Sequence, residues 1–398
     1  MSAREWRAAV SLASIFGLRL LGMFVILPVF AIYAETLPGG KDLTLVGIAI
    51  GAYGLTQALL QIPFGWWSDR FGRKRVIYIG LIMFAAGSFI AAAAPDIYIV
   101  ILGRILQGAG AISAAVIALT ADLTREEHRT KAMALIGMTI GASFAMSLAA
   151  GPWLNQLIGV PGIFAMTGVL AFAAIFVVWR IVPDAPEISS ASSAGLVADL
   201  RMVLANRQLV LLNWGIFALH AVLMALFIAV PFALRDVGMP LGEHWKIYLP
   251  VMLISFVLMA PAMRARTPAA LKLWFAGSVA LLLAAQAAMP MLMHGVWPIT
   301  LFLLLFFVPF NILEAMLPSL TSRLAPAHAK GAAIGVYSSV QFFGTFVGAA
   351  AGGFLYGRWG TGGVVIPGVL LLAIWLILAF GMQIPASAHA AQSNPSAK

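Results

Sequence analysis

The sequence predicts an all-α integral membrane protein of twelve transmembrane helices in two six-helix halves. Three observations predict it. Hydrophobic residues fill 62% of the 398 positions and charged residues only 10%, far below the roughly 25% charged in soluble domains. Apolar runs of about 20 residues, the helix length that crosses a hydrocarbon core, recur along the whole chain between short charged or Pro/Gly breaks. These runs are apolar on all sides, whereas a membrane β-barrel needs alternating apolar and polar positions.

The first run, 10–33, is too long for a cleaved signal peptide and lacks an A-x-A-like exit, so it is retained as a helix. The second and third, 44–65 and 76–95, bracket "GWWSDRFGRKR", Gly65 to Arg75, which carries five charged residues. Asp69 sits inside that basic cluster four residues ahead of Arg73, a spacing at which a helical turn brings the two side chains together. The fourth run, 97–120, contains "GRILQGAGA" with Arg104 and Gln107; the fifth, 131–154, contains "GASFAMSLAAGP". The sixth, 162–183, ends at Pro183, where a Ser-rich polar stretch of the kind that links packing units begins.

Six more runs follow, at 208–234, 247–263, 271–292, 296–318, 332–356 and 361–382. The expected organisation is an N-terminal half (1–183), a linker (184–206), a C-terminal half (207–385) and a short tail (386–398). A shift of 201 positions sets "IFGLR" (15–19) on "IFALH" (216–220) and "LAAGPWL" (148–154) on "AAAGGFL" (349–355) without a gap. Repeats running in the same direction place a substrate site near mid-membrane between the halves and permit alternating access by rocking.

The net charge of +10 reads as topology rather than nucleic-acid binding. Of the 24 Lys and Arg residues, eighteen fall on the side of the N-terminus, four on the other side and two within helices. The bias makes the N-terminal side cytoplasmic, and twelve spans return the C-terminus to it. With no cysteine, disulfides and thiolate sites are excluded. H-E-x-x-H, G-x-x-x-x-G-K-[ST] and G-x-S-x-G are absent, so neither an enzyme nor an ATP-driven pump is expected, and no cofactor or metal. Energy then comes from a gradient.

An ionisable residue within a span costs several kcal/mol unless it faces a cavity or a partner, which makes each one a functional candidate. Four qualify: Arg19, Arg104, His220 and Glu314. Glu314 is the only acid well inside a span, with Asn311 three residues earlier on the same helical face. It is either a carboxyl held between helices by hydrogen bonds or one that takes and releases a coupling proton. Arg19 and His220 occupy equivalent positions of the two repeats. His220 is either a second titrating group or a packing residue. Arg104 either holds main-chain carbonyls of the first helix or shapes the field of the cavity. Tyr53, Gln57 and Gln61, and likewise Tyr337 and Gln341, repeat at four-residue spacing and mark cavity-lining faces.

Several of these stretches resemble those of one transporter family. G-x-x-x-D-R-x-G-R-[KR]-[KR], here from Gly65 through Asp69, Arg70, Gly72 and Arg73, resembles motif A of the major facilitator superfamily. "GRILQGAGA" resembles its motif B. "GASFAMSLAAGP", with Gly141, Gly151 and Pro152 as packing positions, resembles motif C, the antiporter motif, although Asn155 and Gln156 replace the glycine pair that usually follows. The second half carries Arg264 and Arg266 where a second motif A would stand, with no acid. Together with "GLRLLGMFVILPV", "LTREEHRTKAMALIG" and "LEAMLPSLTSRLAP", these stretches are similar to the drug:proton antiporter group, some of whose members carry a small extra C-terminal domain that this chain is expected to lack.

The resemblance implies the major facilitator fold and a monomeric carrier in the bacterial inner membrane, exchanging protons for small amphipathic or drug-like molecules. It implies a latch of the outward-open state in which Asp69 and Arg73 pair with Asp122 and Asp69 meets the positive end of the eleventh helix near Gly331. Glu314 and His220 are then the proton-coupling candidates, with Arg19, Tyr53, Gln57, Arg104, Gln107, Asn311, Tyr337 and Gln341 as cavity candidates. Two alternatives stay open. One is a proton symporter or facilitator for an anionic metabolite, which Arg19 in place of the acid common in helix one favours. The other is a non-transporting receptor or scaffold on a carrier fold.

Overall fold

The structure, a computed structural model, describes residues 1–184, 193–265 and 267–383. Part of the linker (185–192), Arg266 and the end of the chain including the expected tail 386–398 lie outside the described residues. Among the described residues, ten helices are long and apolar enough to cross a membrane: Ala3–Ala34, Leu43–Phe71, Arg73–Ala92, Ile97–Asp122, Glu126–Arg180, Arg207–Asp236, Leu241–Met263, Pro268–Leu292, Val296–Leu324 and Lys330–Phe380.

Two of these, of 55 and 51 residues, are twice the length a bilayer needs. Each is broken by a glycine in the left-handed region, Gly159 (φ 65°) and Gly360 (φ 57°). Contacts show that the chain reverses there. Before Gly159, Ser143 Oγ donates to Gly17 O (2.9 Å) and Ser147 Oγ to Leu21 O (3.3 Å), so 126–158 runs parallel to the first helix. Beyond it, Thr167 Oγ1 meets Ser88 Oγ (3.3 Å) while Lys74 Nζ donates to Val182 O (2.6 Å), so 160–180 runs antiparallel to the third. The second half repeats the arrangement. Gly344, Gly348 and Gly352 lie against Phe217, Ala221 and Ala225 in parallel order, and Lys272 Nζ to Phe380 O (2.8 Å) with Gln286 Nε2 to Val364 O (3.3 Å) makes the last helix antiparallel to the ninth span. Ten helices therefore supply the twelve spans of the fold.

Two spans are interrupted. The first breaks between Phe24 and Leu27, ahead of Pro28, and the fourth between Ala109 and Ser113. Gly110 and Ile112 at the second break pack on Gly80, where a Cβ at Gly110 would lie 2.2 Å from the Gly80 carbonyl oxygen. The region from Gly65 to Arg75, expected as a loop, is almost entirely helical: the second span runs to Phe71 and the third begins at Arg73. Gly72 alone makes the turn, at φ 96°, a conformation that L side chains resist. Gly65 is accordingly inside a helix, facing Ala114 of the fourth span. Within the linker, Ser193–Ala205 forms a helix, and Val203 packs with Leu209, Ala325, Ala329 and Ala333.

The halves meet along a glycine seam between the second and eleventh spans. A Cβ at Gly353 would lie 2.1 Å from Leu43 O, at Gly47 2.2 Å from Ala349 O, at Gly51 2.9 Å from Phe346 O and at Gly54 2.7 Å from Phe342 O. Towards the N-terminal face the seam opens: a Cβ at Gly335 would be 3.8 Å from Ile62, and one at Gly331 would meet nothing within 4 Å. On the opposite face the Arg235–Glu35 ion pair (2.5 Å) joins the ends of the first and seventh spans. In between, Phe144 packs on Phe227, Phe307 and Phe310 at 5.9–6.4 Å between centroids, bridging the fifth span to the seventh and tenth. The halves approach most closely on the face away from the N-terminus and pack less tightly towards the N-terminal face, where Ile62 still meets the Ala333–Val336 cluster.

Candidate functional site

In the C-terminal half, three spans converge on one polar cluster. Gln341 Nε2, on the eleventh, donates to Glu314 Oε1 of the tenth (3.1 Å) and to His220 Nε2 of the seventh (2.9 Å). His220 Nδ1 lies 3.3 Å from Ile216 O, the geometry of an Nδ1–H tautomer whose Nε2 accepts from Gln341. Glu314 Oε2 is 3.9 Å from His220 Nε2 and has no hydrogen-bond partner among the described residues. Among the described residues no arginine or lysine pairs with Glu314, whose side chain is 25% exposed. A proton arriving at Oε2 meets no competing donor.

Asn311 does not share that site. It donates to Ser255 Oγ of the eighth span (2.8 Å), because three residues along a helix still leave about 60° between side chains. Tyr337 is buried one turn before Gln341, its hydroxyl without a partner.

The N-terminal half holds a second cluster. Arg19 donates from one terminal nitrogen to Ser113 Oγ (2.8 Å) and from the other to Gln57 Oε1, and Gln57 Nε2 passes a bond to Gln61 (2.8 Å). Arg104 bonds Ala49 O (3.4 Å), Ile50 O (3.3 Å) and Gln107 Oε1 (3.0 Å). The carbonyls it holds belong to the second span, not the first as expected. Gly108 explains the difference: a Cβ there would sit 2.2 Å from Tyr53 O, so the second span, not the first, is the close neighbour. Both guanidinium groups face the Tyr53 ring, at 5.7 and 5.0 Å from its centroid. Gln107 is fully buried and donates to Ser88 Oγ (2.7 Å), which makes it part of a packed network rather than a lining residue.

The two clusters obey the repeat. Arg19 and Ser113 in one half, His220 and Glu314 in the other, stand at positions that differ by the same 201 residues. The first and fourth helices of each half thus contribute a corresponding polar pair.

At the N-terminal face, Arg73 binds Asp69, Asp122 Oδ2 (3.0 Å) and Ser68 Oγ (2.8 Å). The spacing that suggested the Asp69–Arg73 pair is realised across the Gly72 turn. Among the described residues, Asp69 makes no hydrogen bond to the eleventh span, in keeping with the open seam at Gly331. Arg70 points elsewhere, over the rings of Trp66 (5.5 Å) and Phe71 (5.9 Å). Thr139, just before motif C, and Ser143 and Gly151 within it form the stripe against the first span, with a Cβ at Gly151 only 2.4 Å from Val25 O. Pro152 is buried beside it. Gly141 has nothing within 4 Å, since two residues of helix turn it about 200° from Ser143.

One contact lay outside the expected set. Glu5 accepts from the Arg125 main-chain N–H (3.1 Å) and Nε (3.0 Å), tying the start of the chain to the N-terminus of the fifth span. The side-chain hydrogen bond to Glu5 and the Glu5 carboxylate charge hold the Arg125 guanidinium above its ordinary value. The S-x-x-E capping box at Ser2–Glu5 marks the start of the first helix but carries no signal for a partner 120 residues away.

Residues 12–349 match the family model described as Major Facilitator Superfamily. The chain belongs to the major facilitator superfamily. It is 44% identical over 97% of its length to the inner membrane transport protein YajR of Escherichia coli (strain K12), covering 85% of that relative. It is also 29% identical to the multidrug resistance protein MdtH of Proteus mirabilis (strain HI4320), over 84% of each chain. Among solved structures, the fold matches an inward-facing bacterial homologue of the lysosomal transporter Spinster (TM-score 0.75, 15% identity, 96% of this chain and 97% of that one). It also matches a D-xylose–proton symporter (TM-score 0.71, 13% identity, 96% and 98%). Membership makes this a transport protein rather than an enzyme.

Proposed function

We propose that this superfamily member is a bacterial inner-membrane carrier that exports small amphipathic molecules in exchange for protons, alternating access between the two faces, with its termini cytoplasmic. The observation that carries the reading is Glu314. It is an acid within a span, bridged by a neutral amide to two other spans, with one carboxylate oxygen unmet and no fixed cation paired with it among the described residues. A scaffold has no use for such a group, whereas a carrier must place a titratable site where both faces reach it in turn. Kinship with YajR and with MdtH, named for transport and for multidrug resistance, supports the direction and the class of cargo.

In this scheme cargo and proton compete for the polar interior, and His220 accepts from Gln341 so that Glu314 stays positioned in both protonation states. The Asp69–Arg73–Asp122 cluster acts at the gate: when the N-terminal face closes, Asp69 reaches the positive end of the eleventh span. The test is proton movement in proteoliposomes with a trapped pH dye. Adding cargo from a panel of amphipathic compounds should move protons opposite to it in the wild type, and Glu314→Gln should abolish the signal. Proton flux that persists at the wild-type rate in Glu314→Gln assigns coupling to another group.

A further inference from the structure

We propose that Arg19 and Tyr53 bind the anionic end of the transported molecule, a carboxylate or similar oxyanion on an amphipathic body. The proposal rests on the carrier reading above and names its cargo class. Arg19 and Arg104 are 3% and 1% exposed and share one phenol ring, yet no carboxylate pairs with either among the described residues. A buried cation without a counter-charge is costly, and neutral hydrogen bonds offset only part of that cost.

The two arginines are not equivalent. Arg104 is committed to main-chain carbonyls of the second span, Ala49 and Ile50, and to Gln107. These acceptors cannot leave without unfolding the helix contact. Arg19 is held only by the side-chain oxygens of Ser113 and Gln57, both free to rotate away. Its Nε is buried with no partner among the described residues, and so is the hydroxyl of Tyr53, whose ring centroid lies 5.7 Å from the guanidinium carbon. The site therefore presents two unmet donors and an uncompensated positive charge.

An oxyanion meets all three needs. One oxygen accepts from Nε and the other from the adjacent terminal nitrogen in the fork geometry guanidinium favours, while the Tyr53 hydroxyl donates a third bond. A neutral cargo leaves the positive charge uncompensated, and a cationic cargo is repelled. Tyr53 reaches the seam between the two halves. Tyr53 packs edge-on against Phe342 of the other half, 6.5 Å between centroids, and Phe342 follows Gln341 of the Glu314 cluster. Each half then has its own task at equivalent positions: the first holds the anion, the second the proton.

The test compares three probes with one aromatic body, 1-naphthoate, 1-naphthylmethanol and 1-naphthylmethylammonium, by calorimetry on the purified full chain in phosphatidylcholine nanodiscs. Naphthoate should bind at least about tenfold tighter than the ammonium. Arg19→Gln should remove that preference while leaving the alcohol within about twofold, and Tyr53→Phe, which keeps the ring, should weaken naphthoate about fivefold. Arg19→Lys should fall between, because it keeps the charge and loses the fork; if Arg19→Gln does not fold, Arg19→Lys and Tyr53→Phe decide. Ammonium binding as tight as naphthoate, no naphthoate binding, or an unchanged preference in the Arg19 variants overturns the proposal. So does displacement of naphthoate by added phosphatidylglycerol, which would make a lipid phosphate the occupant. Binding needs no gradient, so a carrier that binds naphthoate but moves no protons would refute the coupling reading and leave the anion site standing.

Discussion

Substituting Gly47 by leucine perturbs the equilibrium on which alternating access depends. A Cβ at Gly47 would lie 2.2 Å from the Ala349 carbonyl oxygen, about 1.2 Å short of the 3.4 Å at which ordinary contact begins. The obstacle is main chain on the other half, so no rotamer relieves it. The second and eleventh spans must part on the closed face. Overpacking of this kind costs about 1–3 kcal/mol, and 1.4 kcal/mol is about tenfold in an equilibrium. Gly47→Leu should therefore disfavour the present state by about five- to 150-fold.

The chain contains no cysteine, so spin labels at Thr36→Cys and Asp236→Cys, which flank the Arg235–Glu35 pair on the closed face, report one distance without background. The wild type should give a population matching closure, and Gly47→Leu should move most of it to longer separations. Gly137→Leu is the control, because nothing lies within 4 Å of that position. A Gly47→Leu distribution that overlays the wild type, from protein still monodisperse, would refute the seam as the contact that holds this face shut.

Three further outcomes are expected. Gly72→Ala forces a side chain into φ 96° and should cost about 1–2 kcal/mol, seen as a melting temperature lower by a few degrees in detergent; an unchanged melting curve would mean the turn relaxes. Asp122→Asn removes one of the two acids on Arg73, and it and Asp69→Asn should each slow turnover several-fold with cargo affinity unchanged; unaltered turnover would reduce the cluster to a topology signal. Gln341→Leu keeps the bulk but takes the donor from Glu314 and His220, at about 1–3 kcal/mol for each acceptor left unmet. It should depress gradient-driven transport more than exchange, and equal effects on both would count against a coupling role.

Legibility in the sequence followed the range of each interaction. Twelve spans were readable because burying uncharged runs of about 20 residues leaves no other solution in lipid. Asp69 and Arg73 were readable because their pairing is local, one helical turn with a glycine between. The Arg19 and His220 equivalence was readable from the repeat, but their partners were not. Ser113 lies 94 residues from Arg19 and Gln341 lies 121 from His220, and a neutral hydroxyl or amide carries no charge pattern to announce such a contact. Arg104 was placed correctly as buried and assigned the wrong neighbour, since the deciding feature is the close approach that Gly108 allows. Gly141 and Gly151 show the same limit: both are motif glycines, and only the helix rotation tells which one touches the first span.

Glu314 is the proposed carrier of the coupling proton. Proteoliposomes containing Glu314→Gln separate the two things a carrier does: exchange of labelled for unlabelled cargo with no gradient, and accumulation of cargo driven by an imposed pH gradient. If Glu314 carries the proton, exchange runs near the wild-type rate and accumulation is abolished. Accumulation at the wild-type level in Glu314→Gln would contradict it.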